Sequence, residues 1–243
     1  MQGVGDMGKV TTGVKHLDTV LGGGFERGSV IDIAGEAGTG KSTFGLQFAA
    51  EGAKKGERVL YVSFEESSES LRRTAHAFGW ELEKHADIKL VEISPFNFDK
   101  AFRAMLAAVR KHRPERIVLD TATSLALYVA RPKWKAAPGP GSHAMFFVPT
   151  PGDVRRALYE LIAELRKSGS TILLLSEEEN DFHISNQVLK FISDGVIRVA
   201  NTDLGTRVSR TLEIVKMRRI AHPLDRFPME IAAHGISISP LEG

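Results

Sequence analysis

The sequence predicts an α/β fold built on a mainly parallel β-sheet, with helices on both faces and an antiparallel extension at the C-terminal end. Three observations support this prediction. Short apolar runs alternate with helical stretches, a glycine-rich loop joins the first clear strand to a helix, and the last third of the chain contains strand-like runs separated by turns. Strands that are apolar nearly throughout are expected where helices cover both faces of a parallel sheet.

The elements follow in order along the chain. Apolar and β-branched runs predict five strands, at residues 30–34, 59–64, 88–93, 117–120 and 171–176. Apolar residues at helical spacing predict helices between them, at residues 42–55, 68–78, 99–111 and 153–168. Further strand-like runs predict the antiparallel extension, at residues 196–199, 211–215, 229–231 and 236–238. We predict a single domain over residues 1–243, in which the proline-rich stretch 131–151 forms a long exposed loop.

Composition restricts the class of protein. With 42% hydrophobic and 26% charged residues, the 243-residue chain is typical of a soluble globular protein. The absence of cysteine excludes disulfides and thiolate chemistry. No apolar stretch approaches the length of a membrane span, and a formal charge of +2 is too small to indicate a nucleic-acid-binding protein by itself. We therefore expect a cytoplasmic protein with no membrane partner.

Residues 35–42 carry the pattern G-x-x-x-x-G-K-[ST] of a phosphate-binding loop, directly after an apolar run. In such a loop, backbone N–H groups surround the phosphates, the lysine balances the charge of the β- and γ-phosphates, and the hydroxyl can bind Mg²⁺. This pattern predicts a nucleoside triphosphate ligand rather than a glycine-rich turn without one. The predicted binding residues are Gly35, Glu36, Ala37, Gly38, Thr39, Gly40, Lys41, Ser42 and Thr43.

Acidic residues end two of the predicted strands. Asp120 follows an apolar run, and in P-loop proteins such an acid holds Mg²⁺ together with the loop hydroxyl, which makes Ser42 and Asp120 the predicted metal ligands. Glu65 and Glu66 end another strand, where a carboxylate can deprotonate a water that attacks the γ-phosphorus. With Lys41, they are the candidate catalytic residues. Alternatively, both glutamates merely cap the following helix, or one caps it while the other catalyses.

Six short segments together carry a resemblance to a known family. They are residues 12–18, 21–24, 35–42, 64–67, 118–124 and 216–218. In this order they resemble the KaiC family and its RadA-paralogue relatives within the RecA superfamily, over nearly the whole chain. The phosphate loop occurs in many folds, whereas the paired glutamates and the Lys-x-Arg strand are specific to this group.

The resemblance implies a RecA-like core that binds ATP or ADP with Mg²⁺ between the subunits of a homo-oligomer, commonly a hexameric ring. By similarity, Glu65 is the first choice for the base that activates water. Lys216 and Arg218 match residues that reach the nucleotide of the neighbouring subunit, and Glu177 matches a polar residue that senses the γ-phosphate. Arg219 departs from the family, because many KaiC-like sequences have glycine there.

Two functions are compatible with this machinery, and the resemblance leaves both open. One is an ATP-hydrolysing switch whose oligomeric state controls protein partners. The other is a RadA-paralogue-like ATPase that binds single- or double-stranded DNA in recombination or repair, for which the basic and aromatic residues 131–135 are suited. The acidic residues 177–181 oppose DNA binding, so the switch is preferred, and we expect Glu178 and Glu179 to lie in a solvated loop. A third possibility is an ATP-binding scaffold with negligible turnover.

Overall fold

The computed structural model describes residues 8–94, 98–125, 133–135, 145–147, 150–178, 183–203 and 208–239. Its strands are β1 (Lys9–Val10), β2 (Phe25–Glu26), β3 (Val30–Gly35), β4 (Val59–Ser63), β5 (Ile88–Glu92), β6 (Arg116–Asp120), β7 (Lys133–Lys135), β8 (Met145–Phe147), β9 (Thr171–Glu177), β10 (Gly195–Asp203), β11 (Val208–Met217), β12 (Arg226–Ala232) and β13 (Gly235–Ile238). Its helices are α1 (Leu17–Val20), α2 (Lys41–Lys54), α3 (Ser68–Ala77), a 3₁₀ turn (Leu82–Lys84), α4 (Phe98–His112), α5 (Pro151–Arg166) and α6 (His183–Ile192).

Among the described residues, nine strands form the central sheet, in the order β13-β12-β11-β10-β3-β9-β6-β4-β5. The six strands from β10 to β5 are parallel, whereas β11, β12 and β13 continue the sheet in antiparallel pairing. The predicted α/β fold with its C-terminal antiparallel extension is thereby confirmed. We call the side of the sheet where the parallel strands end the carboxyl edge and the opposite side the amino edge.

Two buried cores cover the two faces of this sheet. Apolar side chains of α2 and α3 pack on one face, and those of α4, α5 and α6 pack on the other. Alternate residues of β6 divide between the cores, because Val118 faces the first and Leu119 faces the second. The near-continuous apolar character of these strands follows from this arrangement.

Several elements differ from the prediction. Helix α6 and the short pair β1-β2 were not expected, and β10 continues to Asp203 through residues expected to form a turn. The stretch 131–151 contains the antiparallel ribbon β7-β8. Helix α5 begins at Pro151, and a capping box formed by Thr150 and Asp153 fixes this start.

Within the described residues, no helix combines the length and apolar character that a membrane crossing requires.

One buried cation ties the N-terminal segment to the sheet. The Arg116 side chain is 1% exposed and lies 4.5 Å from the centre of the Phe48 ring. Its guanidinium pairs with Glu57 and donates hydrogen bonds to the carbonyls of Thr11 (2.8 Å) and Phe48 (3.0 Å). Burial lowers the pKa of Arg116, while the Glu57 carboxylate opposes that shift. Arg116 therefore connects three separate segments at the base of β6.

Replacing this arginine is expected to destabilise the fold. Arg116→Met removes the buried partner of the Glu57 carboxylate and the donor to two carbonyls, so the free energy of unfolding should fall by about 3 kcal/mol. Urea denaturation measures this change. Arg27→Met is the control, because Arg27 contacts the same carboxylate at 3.1 Å but is 44% exposed, and its loss should cost less than about 1 kcal/mol. Equal effects of the two substitutions would contradict the role of burial.

Candidate functional site

The glycine-rich loop lies at the carboxyl edge, between β3 and α2. At Gly35, an added Cβ would stand 2.2 Å from the Val199 carbonyl oxygen of β10, so the close approach of the two strands requires glycine. Gly40 has φ +105° and an added Cβ there would lie 2.6 Å from Ile231. The two glycines of the motif are thus required by backbone and packing geometry. They let the loop turn tightly into the N-terminus of α2, whose N–H groups favour an anion.

Lys41 and Glu177 meet above this loop. Lys41 is only 6% exposed, and its Nζ donates a hydrogen bond of 2.8 Å to the Glu36 carbonyl. The same Nζ lies 3.9 Å from Glu177 Oε1, because β9 pairs with β3 and sets Glu177 opposite Gly35. The structure therefore places the predicted lysine and the predicted γ-phosphate sensor side by side.

Ser42 and Asp120 also lie together at this edge. Asp120 is 3% exposed, accepts a 2.5 Å hydrogen bond from the Tyr61 hydroxyl and is hydrogen-bonded by the Ser42 hydroxyl. Burial raises the pKa of Asp120 to about 6, the two hydroxyl donors oppose that shift, and the carboxylates of Glu65 and Glu66 add to it. A hydroxyl and a carboxylate in contact are oxygen ligands of the kind Mg²⁺ prefers. The residues present therefore fit a magnesium ion.

The paired glutamates occupy different environments. Glu65 accepts hydrogen bonds from the hydroxyls of Thr121 (3.0 Å) and Ser124. Glu66 accepts a hydrogen bond of 2.8 Å from Ser70 in the first turn of α3, and the N-cap of this helix is Ser67, whose hydroxyl accepts from the Ser70 N–H. Glu66 thus lies against the helix start, whereas Glu65 turns towards the phosphate loop.

Several of these groups line a cavity of about 310 Å³. It is lined by Ala37, Gly38, Gly40, Lys41, Ser42, Thr43, Glu65, Thr121, Glu177 and Ile231. Eight of these are residues that the sequence singled out, although β6 and β9 separate β4 from β3 in the sheet. Sequence reasoning missed Thr121 and Ile231. The position of Thr121 directly after Asp120 was an available signal, whereas Ile231 reaches the loop only through the pairing of distant strands.

Lys216 and Arg218 lie at the amino edge, away from the phosphate loop of their own subunit. Since β11 runs antiparallel to β10, its end at Met217 pairs with the start of β10 at Gly195. The Lys216 Nζ donates hydrogen bonds to carbonyls at the end of α6, at 3.0 Å from Lys190 O and 2.6 Å from Ser193 O. Burial lowers the pKa of Lys216, the charge of Arg218 adds to this, and Asp194 opposes it.

Glu178 differs from the expectation of a solvated loop. Its carboxylate pairs with Lys190 at 2.5 Å and with Arg198 at 3.0 Å. Burial would raise the pKa of Glu178, but the hydrogen bonds from these two cations outweigh it and lower the pKa. The expectation was wrong for Glu178 because cations from α6 and β10 converge on it. Glu179 and the remainder of the acidic run lie outside the described residues.

Two other features singled out in the sequence are the basic and aromatic residues 131–135 and the departure from the family at Arg219. The residues 131–132 of the basic and aromatic cluster lie outside the described part, and residues 133–135 are described only as the backbone of β7. Arg219 has φ +65°, in the left-handed region that favours glycine, and its guanidinium pairs with Glu26 at 3.1 Å. This backbone geometry gives a physical reason for glycine at the corresponding position of similar sequences.

Comparisons with known proteins match nearly the whole chain. A family model described as ATPase: KaiC matches residues 10–135 and 146–243. The circadian clock oscillator protein KaiC of Parasynechococcus marenigrum is 30% identical over 96% of this chain, and that of Synechococcus elongatus is 29% identical over the same share. The chain covers 45% and 44% of these two relatives, less than half of their length.

A solved structure agrees in fold as well as in sequence. The crystal structure of a KaiC-like protein from the hyperthermophilic archaeon Pyrococcus horikoshii has a TM-score of 0.80 and 29% sequence identity. The alignment covers 96% of this chain and 100% of that one. The similarity therefore extends over the parallel sheet, the phosphate loop and the antiparallel extension together.

Proposed function

This chain belongs to the KaiC family of ATPases, and from that premise we propose that it binds and hydrolyses Mg²⁺–ATP as a nucleotide-driven switch in the cytoplasm. The observation that carries this proposal is the cavity at the carboxyl edge. The loop residues Lys41 and Ser42 and the Glu65 carboxylate line this cavity, and the Asp120 carboxylate lies next to the Ser42 hydroxyl. These are the groups that phosphoryl transfer to water requires.

Each group has a defined task in the proposed reaction. The N–H groups of the loop and the Lys41 ammonium bind and orient the phosphates. Ser42 and Asp120 would hold Mg²⁺, which neutralises charge on the β- and γ-phosphates when bound. Glu65 accepts the proton of the attacking water, and the hydroxyls of Thr121 and Ser124 fix the direction of its carboxylate. Glu177 lies beside Lys41, where it can respond to the γ-phosphate.

The proposed active assembly is a homo-oligomeric ring, commonly hexameric in this family. Lys216 and Arg218 lie at the edge opposite to their own phosphate loop, so a contact between them and ATP requires the nucleotide of a neighbouring subunit. An arginine supplied by a neighbour stabilises the charge of the phosphoryl-transfer transition state. We therefore assign the ATP site to two subunits, with the cavity in one and the cations in the next.

Helix α6 supports a switch, because it contacts both parts of this composite site. At its beginning, the Asn186 amide donates a hydrogen bond of 2.6 Å to the carbonyl of Glu177, beside Lys41. At its end, the carbonyls of Lys190 and Phe191 accept hydrogen bonds from Lys216. A change at the γ-phosphate can thus shift helix α6, which also holds the side chain of Lys216, one of the residues proposed to act on the neighbouring subunit. None of the described contacts favours the alternative of a DNA-binding ATPase, and protein partners are the proposed targets.

The test combines nucleotide binding with phosphate release. Calorimetry with ATP and Mg²⁺ should give saturable heat, and Glu65→Gln should retain this binding while hydrolysis falls about 100-fold, because the amide cannot accept the proton. Glu66→Gln is the matched control, with a smaller loss expected since Glu66 bonds to Ser70. No saturable binding would overturn the nucleotide site. Equal, negligible phosphate release by wild type and Glu65→Gln would indicate an ATP-binding scaffold without turnover.

A further inference from the structure

A second, larger cavity lies at the amino edge, on the far side of the sheet from the phosphate loop. Its volume is about 670 Å³, more than twice that of the phosphate-loop cavity. Five cationic side chains line it, namely Arg27, Arg58, Arg110, Arg113 and Lys167, against two carboxylates. Arg27 also pairs with Glu57 at 3.1 Å, so the described residues leave a local excess of two positive charges. We call this feature the basic cleft.

Two of these cations are not neutralised by the protein. Arg58 lies 3.5 Å from Glu115, and Lys167 lies 2.5 Å from Glu164. Within the described part of the chain, the side chains of Arg110 and Arg113 form no ion pair. The basic cleft therefore holds two guanidinium groups whose hydrogen-bond donors are available to a ligand.

Arg113 has a backbone conformation that its side chain disfavours. Arg113 follows the end of α4 with φ +48°. Its N–H donates to the Val109 carbonyl at 2.8 Å, and the Arg113 carbonyl accepts a hydrogen bond of 2.8 Å from Arg58 Nε. Glycine is the usual residue at such a left-handed position after a helix. A cation that stabilises the C-terminus of α4 is already present at Arg110, in the last turn. Capping therefore does not explain an arginine at position 113.

We propose that the basic cleft binds a small polyanion that carries two or more phosphate or carboxylate groups beside an apolar portion. Arg110 and Arg113 would bind the anionic groups, since guanidinium forms paired hydrogen bonds with phosphate and carboxylate. Leu106, Val109 and Pro114 provide an apolar wall for the remainder of the molecule. The volume falls within the range of about 300–1,000 Å³ that small-molecule sites occupy. The proposal is independent of the ATP site, which lies at the opposite edge.

The probes are inorganic pyrophosphate and citrate, titrated calorimetrically at low salt in buffer freed of divalent cations on a chelating resin, so that neither probe binds Mg²⁺ and no competing polycarboxylate is present. Wild type and Lys41→Ala are both titrated, because the second variant removes the cation of the phosphate loop and so weakens anion binding there. We expect saturable 1:1 binding of one or both probes in Lys41→Ala. Binding of pyrophosphate alone assigns the cleft to phosphate ligands, and binding of citrate alone assigns it to carboxylates. Binding of neither probe overturns the proposal.

Arg113→Gly is the decisive substitution, made in the Lys41→Ala chain. Glycine suits the left-handed backbone, so this variant should unfold at the same temperature or higher, while probe affinity falls roughly tenfold or more. Arg110→Gln should produce a similar loss through charge alone. Arg219→Gly is the matched control, since it also places glycine at a left-handed position but outside the basic cleft.

Two further results would overturn the assignment to a small polyanion. Equal losses of affinity in Arg113→Gly and Arg219→Gly would show that binding follows the overall charge and not the cleft. A single-stranded DNA oligonucleotide that binds in an Arg113-dependent manner, while pyrophosphate and citrate do not bind, would assign the cleft to nucleic acid instead. Neither result bears on ATP binding at the phosphate loop, so the two proposals fail separately.

Discussion

A mixture of equal amounts of Glu65→Gln and Arg218→Ala subunits is expected to recover about a quarter of the wild-type rate of ATP hydrolysis, although each variant alone is nearly inactive. Loss of a transition-state arginine lowers turnover about 1,000-fold or more, and loss of the base lowers it about 100-fold. In mixed rings, an Arg218→Ala subunit still provides Glu65, and its Glu65→Gln neighbour still provides Arg218. One random junction in four has this arrangement.

The control pairs two variants of the same cavity. Glu65→Gln mixed with Lys41→Ala should show no recovery, because every site then lacks one of two residues that the same subunit must provide. Phosphate release after co-refolding or slow subunit exchange measures both mixtures. Recovery in neither mixture would contradict the composite site. So would a wild-type rate of ATP hydrolysis per subunit that stays constant when the protein concentration is lowered below the assembly transition.

The parts of this molecule that sequence reasoning found are those encoded locally. The phosphate loop, Asp120 and the paired glutamates each follow a run of apolar residues, and the carboxyl ends of parallel strands meet at one edge whatever the order of the strands. This is why Glu65 and Lys41 line the same cavity although two strands separate β4 from β3.

The parts that sequence reasoning missed depend on long-range packing. Ile231 reaches Gly40 through the antiparallel extension, and nothing near either residue in the sequence indicates that approach. Helix α6 was not predicted, so nothing in the sequence indicated that Lys216 donates hydrogen bonds to the carbonyls that end this helix. The cations that neutralise Glu178 come from α6 and β10, which explains why a run of acids looked like a solvated loop.

A buried acid beneath α6 makes stability depend on pH. Asp32 lies in the middle of β3, is 0% exposed, and its carboxylate oxygens make no well-formed hydrogen bond with the described residues. Burial raises the pKa of Asp32 from 3.8 to about 7; the Ser176 hydroxyl and the Lys190 ammonium oppose this shift, and the Glu178 carboxylate adds to it. Below the lower value, both folded and unfolded chains carry the proton. Between the two values only the unfolded chain releases it, so stability falls as pH rises through this window and levels off above it.

Asp32→Asn is therefore expected to stabilise the protein at pH 8 and to change its stability little at pH 4. Since the amide never ionises, the difference in the free energy of unfolding between variant and wild type should grow with pH, up to about 4 kcal/mol. Urea denaturation at both pH values separates this effect from any constant cost of burying an amide, because that cost is the same at each pH. Asp225→Asn, which removes an exposed carboxylate, should give a small difference that does not depend on pH. A constant difference for Asp32→Asn would mean that Asp32 is ionised in the folded protein throughout this range, with Lys190 compensating its charge.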